Sequence, residues 1–331
     1  MARACIAGTG AYLPERVMTN AEFENLVETS DEWIRTRTGI RERRVAAPEQ
    51  ATSDLAVEAA RLALADAGVE PAQVDAVIVA TLTPDYGFPA TACLVQKALG
   101  IPTTAAAFDV SAACTGFLYG LECARGLLAT GSYRNVLLIG AETLSRITDY
   151  TDRGTCILFG DGAGAAVLQP GLGDGRNGHE VISVFLGADG ANSHLLSMPA
   201  GGSRKPASHA TVDAREHFLR MDGREVFKLA VYGMIAAARG ALARAGLTAG
   251  DLALVIPHQA NLRIIEAVAE RLEVSRDRVF VNVDRYGNCS AATTIVALDE
   301  AKRQGRLKTG DHVLLLAFGA GMTWGGAVIR W

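Results

Sequence analysis

The chain has 331 residues, of which 49% are hydrophobic and 21% charged, a composition typical of a folded globular protein and unlike that of a disordered one. Its net charge of −4 argues against wholesale nucleic-acid binding. No run approaches the roughly 18 apolar residues of a membrane-spanning helix, and the N-terminus lacks a signal peptide, so the sequence predicts a cytoplasmic protein without a membrane partner.

In chain order, the predicted elements occur twice. Residues 63–81 (ALADAGVEPAQVDAVIVAT) and 241–259 (ALARAGLTAGDLALVIPHQ) each predict a helix that ends at Ala-Gly, a short turn and a buried strand. Residues 123–142 and 300–321 each predict a helix, a Thr-Gly turn and a strand, with Val136 aligned on Val313. Helices that alternate with continuous apolar strands favour a parallel or mixed sheet covered on both faces.

The repeat predicts a duplicated α/β unit with halves at 1–175 and 176–331. We interpret 171–220, which is rich in Gly, Ser, His and Ala, as the connection between them, with a surface excursion at 199–214 (PAGGSRKPASHATVDA). None of the six cysteines forms a CxxC pair or stands at zinc-ligand spacing from a histidine, so no metal site is expected.

Cys114 stands out within AAAFDVSAACTGFLYGLECA, residues 105–124. The strand-like run from Ala105 to Val110 stops at Ser111, and a helix is predicted after the cysteine. A thiol at a helix N-terminus feels the positive end of the helix dipole, so we expect the pKa of Cys114 to be lowered. The small neighbours leave room for another molecule to reach the sulfur.

Two further polar residues follow predicted strands in the second half. The repeat aligns Cys114 with Asn288, which follows a predicted strand at Val279–Val283, and His258 follows the strand at 252–256. Chemistry gathers at the carboxyl ends of strands in α/β proteins. A thiol beside an imidazole is an activated nucleophile, and a carboxamide can donate to an oxyanion but cannot act as a base. The three residues together suit acyl transfer through a thioester.

At this point several motifs in the right order resemble a known family. DVSAACTGF, PHQANLRI, YGNCSAAT, FGAGMTWG and the N-terminal TSDEWIRTRTGIRERR are similar to those of the β-ketoacyl-acyl-carrier-protein synthase III family of condensing enzymes. The resemblance runs from about residue 5 to Trp331. It implies a thiolase fold, with the duplicated unit arranged in five α-β-α-β-α layers.

The resemblance also implies an activity and residue roles. A short acyl-CoA, expected to be acetyl-CoA, acylates Cys114, and malonyl-acyl carrier protein then undergoes decarboxylative Claisen condensation to a 3-oxoacyl carrier protein, which initiates fatty acid synthesis. His258 and Asn288 bind the malonyl thioester carbonyl, the backbone N–H groups of Cys114 and Ala320 hold the oxyanion, and Phe318 packs beside the histidine. The CoA thioester is a substrate, so no metal or redox cofactor is expected.

Binding residues come from the same resemblance. The CoA-binding set that it implies is Trp33, Arg37, Arg153, Gly223, Phe227 and Asn261. Phe88 is expected to reach across a homodimer into the partner's acyl pocket. Lys228, Arg263 and Arg271 are expected to dock the acidic carrier protein. Cys289 departs from the common pattern, where a small polar residue follows the asparagine, and we interpret it as a small filler of the core.

Other functions stay open on the residues alone. A specialised condensing enzyme of secondary metabolism on the same fold is the main alternative. A cysteine hydrolase also fits Cys-His-Asn, although the α/β repeat argues against it. A catalytically silent binding protein of this fold is a third possibility. A thiolase would need a second catalytic cysteine near the C-terminus, and FGAGMTWGG has none.

Overall fold

The structure is a computed structural model that describes residues 3–171 and 178–331. The first half of the chain contributes seven strands and five helices. They are β1 (Arg3–Tyr12), β2 (Arg16–Thr19), α1 (Asn20–Phe23), α2 (Asp31–Thr38), β3 (Glu42–Val45), α3 (Thr52–Ala67), β4 (Ala76–Ala80), α4 (Thr91–Leu99), β5 (Ala106–Val110), α5 (Gly116–Ala129), β6 (Val136–Thr143) and β7 (Asp161–Gly171).

The second half supplies the elements that carry the histidine and the asparagine. They are β8 (His179–Ala188), β9 (Leu196–Ser197), α6 (His209–Asp213), β10 (Arg220–Met221), α7 (Gly223–Ala245), β11 (Leu252–Pro257), α8 (Leu262–Arg271), α9 (Val283–Tyr286), α10 (Thr293–Arg303), β12 (His312–Gly319) and β13 (Thr323–Arg330). The boundary expected at residues 175 and 176 lies outside the described residues.

Nine strands form one mixed sheet in the order β11-β12-β13-β8-β1-β7-β6-β4-β5. The pairs β4–β5, β4–β6 and β11–β12 are parallel, and the pairs through β1, β7, β8 and β13 are antiparallel. The two halves meet at β1–β8, where Cys5 pairs with Glu180 and Ile6 with His179. The sheet is therefore mixed, as the sequence predicts, and runs continuously from one half to the other.

Helices cover this sheet in layers. The central core cluster joins Phe117 of α5 and Ile295 of α10 to Leu138 of β6 and to Leu315 of β12. Two further clusters form on the outer faces, one around α3 and α4 and the other around α7 and α8. Helices α5 and α10 pack against strands of both halves, so they form the middle layer, and the strands of each half form the β layer on either side of them. With the outer helices this gives an α-β-α-β-α stack, and the predicted thiolase architecture is confirmed.

The repeat is visible in local geometry. Helices α3 and α7 both end at Ala-Gly, and both glycines, Gly68 and Gly246, adopt the left-handed conformation that lets the chain turn into the next element. A short 3-10 turn with positive φ at its first residue precedes both α5 and α10, at Ala113 and at Ser290. These turns align Cys114 with Ala291, so the predicted alignment of Cys114 with Asn288 is wrong by three residues.

Two predicted segments differ from the structure. The connection predicted at 171–220 contains β8, which pairs with both β1 and β13, while its residues 172–177 lie outside the described part. The exposed stretch 201–210 agrees with the predicted excursion. The strand predicted at Val279–Val283 is reduced to a single bridge between Val255 and Val279, because the chain turns into α9 at Val283.

Helix α7 differs from the prediction that no apolar run approaches the length of a membrane-spanning helix. Within the described residues it is the one helix long and apolar enough to cross a membrane by length and composition. Its apolar residues, which include Val231, Met234 and Leu242, are buried in the core against the strands of the second half. Burial in a protein core accounts for such a composition.

Candidate active site

Cys114 occupies the turn between β5 and α5, and small residues close around it. Ala113 before it has φ of 46°, in the left-handed region. A β-carbon added at Gly319 would lie 2.7 Å from the backbone nitrogen of Cys114 and 3.1 Å from its Cβ. The end of β12 therefore approaches the cysteine backbone as closely as a glycine allows.

Cys114, His258 and Asn288 line one cavity of about 110 Å³, together with Phe318. The structure thus brings together residues that follow three different elements, β5, β11 and α9. The cysteine is 8% exposed, the histidine 3% and the asparagine 6%, so their mutual interactions are shielded from water. In such surroundings, electrostatic effects on a reacting group are larger than in solvent.

A second, larger cavity of about 510 Å³ also reaches Cys114. We call it the chamber. Leu82, Leu144 and Leu219 contribute to its largely apolar lining, and Ala320 lies on its wall. We call the smaller cavity of about 110 Å³ the tunnel. Cys114 lines both the tunnel and the chamber.

The expected lowering of the Cys114 pKa is wrong. Burial of the thiol, together with the nearby Glu142 carboxyl, raises its pKa to about 12, although the Ser290 hydroxyl opposes the shift. Desolvation disfavours the thiolate more strongly than local hydrogen bonding favours it. The resting thiol is therefore protonated, and it must lose its proton during the attack on a substrate.

His258 is held at both its backbone and its ring. Its backbone N–H donates to Leu316 O at 2.7 Å, and its Nδ1 lies 2.5 Å from Thr293 Oγ1. Burial lowers the pKa of the imidazole to about 3, so the ring is neutral at physiological pH. Because Nδ1 is engaged by Thr293, Nε2 is the nitrogen left to act in the cavity.

The turn after Asn288 fixes the orientation of its amide. The Ser290 N–H donates to Asn288 Oδ1 at 2.8 Å, so the oxygen faces the turn. The amide NH2 is then the end without a protein partner among the described residues, and it can donate to an oxygen in the cavity. Ser290 itself has φ of 47°, a strained conformation that shapes this turn.

Glu142 is a fully buried carboxyl near the cysteine. It accepts hydrogen bonds from the loop after β4, at 2.6 Å from Thr83 Oγ1 and 3.1 Å from Thr81 Oγ1. Burial raises its pKa to about 7 despite these donors and despite the nearby Ser290 hydroxyl. The site therefore contains a carboxyl that titrates near neutral pH.

The residues expected to bind the CoA nucleotide lie together on α2 and on the 150–157 segment. The Arg153 guanidinium carbon is 4.2 Å from the centre of the Trp33 ring, and that of Arg37 is 5.7 Å away. The Trp33–Arg153 pair is thus in direct contact. A base stacked between them needs about 3.5 Å on each side, so Arg153 must move outward to admit one.

The remaining residues of the expected CoA path lead into the tunnel. Gly223 and Phe227, on the first turns of α7, line the cavity of Cys114, and so does Asn261. Asn261 caps α8, with its oxygen 2.9 Å from the Arg263 nitrogen, and it donates to Arg37 O at 3.2 Å. Asn261 therefore links the lining of the tunnel to α2, the helix that bears Trp33.

Phe88 is 89% exposed and lines neither of the two cavities of its own chain. The three cations expected to dock a carrier protein lie on α7 and α8. Lys228 pairs with Glu225 at 2.7 Å, and Arg263 and Arg271 lie over the rings of Phe227 and Tyr232. Residues on the first turns of both helices line the tunnel, although the three cations themselves do not.

The sequence reasoning missed Thr293, Ser290 and Glu142. A signal existed for Glu142, because a carboxylate at the end of the apolar strand β6 is unusual and marks a strand terminus. Cys289, interpreted as a filler, is buried, and its Sγ lies 3.4 Å from Tyr286 O. Burial raises the pKa of this thiol strongly, as for an inert core cysteine.

A layered α/β fold with a buried cysteine, a neutral histidine and an oriented asparagine around one tunnel defines a thiolase-fold acyl-transferring enzyme of the condensing class. Two family models match the chain, described as 3-oxoacyl-[acyl-carrier-protein (ACP)] synthase III over residues 108–190 and as its C-terminal part over 242–331.

Full-length relatives and solved structures agree with the family matches. The chain is 56% identical to the beta-ketoacyl-[acyl-carrier-protein] synthase III of Caldanaerobacter subterraneus subsp. tengcongensis, over 98% of this chain and 97% of that protein. Crystal structures of the synthases from Thermus thermophilus and Aquifex aeolicus are 49% and 45% identical, each with a TM-score of 0.90. Each alignment covers 99% of this chain, with 99% of the first synthase and 100% of the second. The chain belongs to the β-ketoacyl-acyl-carrier-protein synthase III family.

Proposed function

We propose that this protein condenses a short acyl-CoA with malonyl-acyl carrier protein and so starts fatty acid synthesis. The observation that carries the proposal is the meeting of Cys114, His258 and Asn288 in one buried tunnel, in a chain of this family. The CoA thioester is the substrate, and the chemistry calls for no metal or redox cofactor. We place the enzyme in the cytoplasm, where the cysteines described as free stay reduced.

In the first half-reaction, Cys114 Sγ attacks the acyl-CoA carbonyl. The thiol proton leaves toward His258 Nε2 and is returned to the departing CoA sulfur, so that the histidine ends neutral, as its low pKa requires. We propose that the backbone N–H groups of Cys114 and Ala320, which both line the chamber, receive the oxyanion. Fixed backbone donors of this kind are effective because they do not need to reorganise during the reaction.

In the second half-reaction, malonyl carrier protein occupies the tunnel and loses CO2. The enolate oxygen that develops is stabilised by the Asn288 amide and by an N–H of His258. The carbanion attacks the Cys114 thioester, and the released thiolate takes the one proton that the overall reaction consumes. A neutral imidazole suits this step because it donates a hydrogen bond without giving up its proton.

The acyl chain is proposed to enter the chamber on the other side of Cys114. Its volume of about 510 Å³ far exceeds the roughly 30 Å³ of a water-sized group, so it has room for chains longer than acetyl. We propose acetyl-CoA as the starter to test first, followed by branched and longer acyl-CoAs.

Intact-protein mass spectrometry tests the proposal. Wild type and Cys114→Ala are incubated with a panel of acyl-CoAs and then with malonyl carrier protein. We expect an acyl adduct on wild type only, stable in water and discharged by the carrier protein. An adduct that hydrolyses in buffer would indicate a hydrolase, and the absence of any adduct would contradict the role of Cys114.

We also propose a homodimer built through β5. This strand lies at one end of the nine-stranded sheet, its residues are half-buried, and the exposed Tyr86 and Phe88 lie in the loop that precedes α4. An unpaired strand edge beside exposed aromatic side chains favours pairing with a second copy. Light scattering of wild type beside Phe88→Ser measures the assembly, and a monomeric wild type would contradict it.

Carrier-protein docking is proposed at Lys228, Arg263 and Arg271. These cations lie on the two helices that border the tunnel, where an acidic partner would deliver its thioester. Arg263→Glu should raise KM for malonyl carrier protein while leaving acylation by acyl-CoA nearly unchanged. Arg61→Glu is the matched control, since it makes the same charge change at an exposed side chain of α3, in the other half. Equal effects of the two changes would refute the docking site.

A further inference from the structure

A single buried hydroxyl connects the two side chains proposed to stabilise the enolate. Thr293 Oγ1 lies 2.5 Å from His258 Nδ1 and 3.0 Å from Ser290 O. The Ser290 N–H in turn donates to Asn288 Oδ1 at 2.8 Å. The segment 288–293 therefore holds both the amide and the imidazole through hydrogen bonds that meet at Ser290.

The Thr293 hydroxyl has one proton and two acceptors that compete for it. When it donates to Ser290 O, its oxygen must accept from His258, so the imidazole proton is on Nδ1 and Nε2 has a bare lone pair. When it donates to His258 Nδ1, the imidazole proton is on Nε2, and that nitrogen becomes a donor. Two lone pairs cannot face each other at 2.5 Å, so the hydroxyl orientation and the tautomer change together.

The two half-reactions need opposite tautomers. Removal of the Cys114 proton requires a lone pair on Nε2, whereas enolate stabilisation requires a proton there. Thr293 and His258 are each 3% exposed, so bulk water does not replace the hydroxyl as the partner of Nδ1. We propose that Thr293 is a positioning residue that accommodates both tautomers of His258, so that one imidazole serves as the base in acylation and as the donor in condensation. This inference rests on the proposed function.

Each proton that moves between acylation and condensation has a donor and an acceptor. In acylation the Sγ–C bond forms and the CoA S–C bond breaks, while the thiol proton passes through Nε2 to the CoA sulfur and Nδ1 keeps its own. Between the two half-reactions, after CoA has left, the contact between His258 and Thr293 opens transiently; Nδ1 gives its proton to a water molecule that enters and Nε2 takes one from water in the tunnel, so no net proton is gained or lost. When the contact closes again, the threonine hydroxyl has rotated from Ser290 O to Nδ1.

Three variants distinguish the effect of the Thr293 hydroxyl from the effect of its side-chain volume. Thr293→Val removes the hydroxyl at nearly constant volume, and Thr293→Ser retains it. Thr294→Val is the matched control, because Thr294 is the neighbouring buried threonine and its hydroxyl has no hydrogen-bond partner among the described residues. Acylation is followed by intact mass with acyl-CoA, and condensation by discharge of the preformed acyl-enzyme with malonyl carrier protein.

We expect Thr293→Val to slow at least one half-reaction on the order of 10- to 100-fold, as for the loss of a buried hydrogen bond, with Thr293→Ser and Thr294→Val close to wild type. Nitrogen-15 NMR of labelled His258 should show both neutral tautomers in wild type and one in Thr293→Val. Equal losses in the serine and valine variants, or wild-type rates in the valine variant, would overturn the proposal. If Thr293→Val does not fold, the nitrogen-15 spectrum of the wild type is a sufficient test. A single neutral tautomer of His258 in that spectrum would refute the proposal. Failure of wild type itself to acylate would instead refute the proposed function.

Discussion

Replacement of Gly319 by alanine should disable acylation without unfolding the protein. Gly319 ends β12 with φ of −156° and ψ of −178°, an extended conformation open to any residue, so the cost of a side chain there is purely steric. The new Cβ would lie 2.7 Å from the Cys114 nitrogen and 3.1 Å from its Cβ. Ordinary contacts of this kind are about 3.5 Å, so the cysteine backbone must retreat by roughly 1 Å.

That displacement acts on the nucleophile and on one proposed oxyanion donor at once. A misplacement of about 1 Å costs on the order of 100-fold in rate, and loss of one oxyanion donor costs about 10²- to 10³-fold. We therefore expect Gly319→Ala to acylate at least about 100-fold more slowly than wild type, together with an overpacking cost of about 1–3 kcal/mol in the free energy of unfolding.

The assay is single-turnover acylation followed by intact mass, with thermal unfolding measured on the same samples. Gly240→Ala is the control, since its Cβ would meet the Phe185 ring at 2.4 Å in a region that lines neither cavity of Cys114. It should lose stability and keep its acylation rate. Near-wild-type acylation by folded Gly319→Ala would refute the reasoning.

Three further outcomes are expected. The pKa of Glu142, raised from 4.5 to about 7, means that the folded state keeps a proton which the unfolded chain loses, so stability is fully present below pH 4.5 and falls by about 3 kcal/mol as pH rises through 7. Urea unfolding at several pH values across this range measures the change in stability. If Glu142→Gln shows the same pH dependence of stability, a group other than Glu142 causes it. Trp33→Ala should raise KM for acyl-CoA about tenfold through lost base stacking, with little change for acyl-pantetheine, which has no nucleotide; a similar loss with both substrates would contradict stacking of the base on Trp33. Leu219→Trp should fill part of the chamber and block loading of longer acyl chains while sparing acetyl, as mass spectrometry of the acyl-enzyme can determine; unchanged loading of long chains would place them elsewhere.

Local signals predicted the features that depend on neighbours in sequence. The paired Ala-Gly helix ends, the strand before Cys114 and the strand before His258 were all readable because apolar periodicity and turn glycines act over a few residues. Strand β8 was not predicted, because the glycine-rich segments around it dominate the composition of residues 171–220. Its place in the sheet depends on β1 and β13, which are distant in sequence.

Sequence patterns predict a repeated α/β unit and a cysteine, a histidine and an asparagine near strand ends. The electrostatic state and the hydrogen-bond partners of these three residues depend instead on how distant segments pack together. The helix dipole that favours the Cys114 thiolate comes from one helix, whereas desolvation comes from residues of both halves that pack around the thiol. The contact between Thr293 and His258 likewise joins α10 to the end of β11, and no spacing within either segment encodes it.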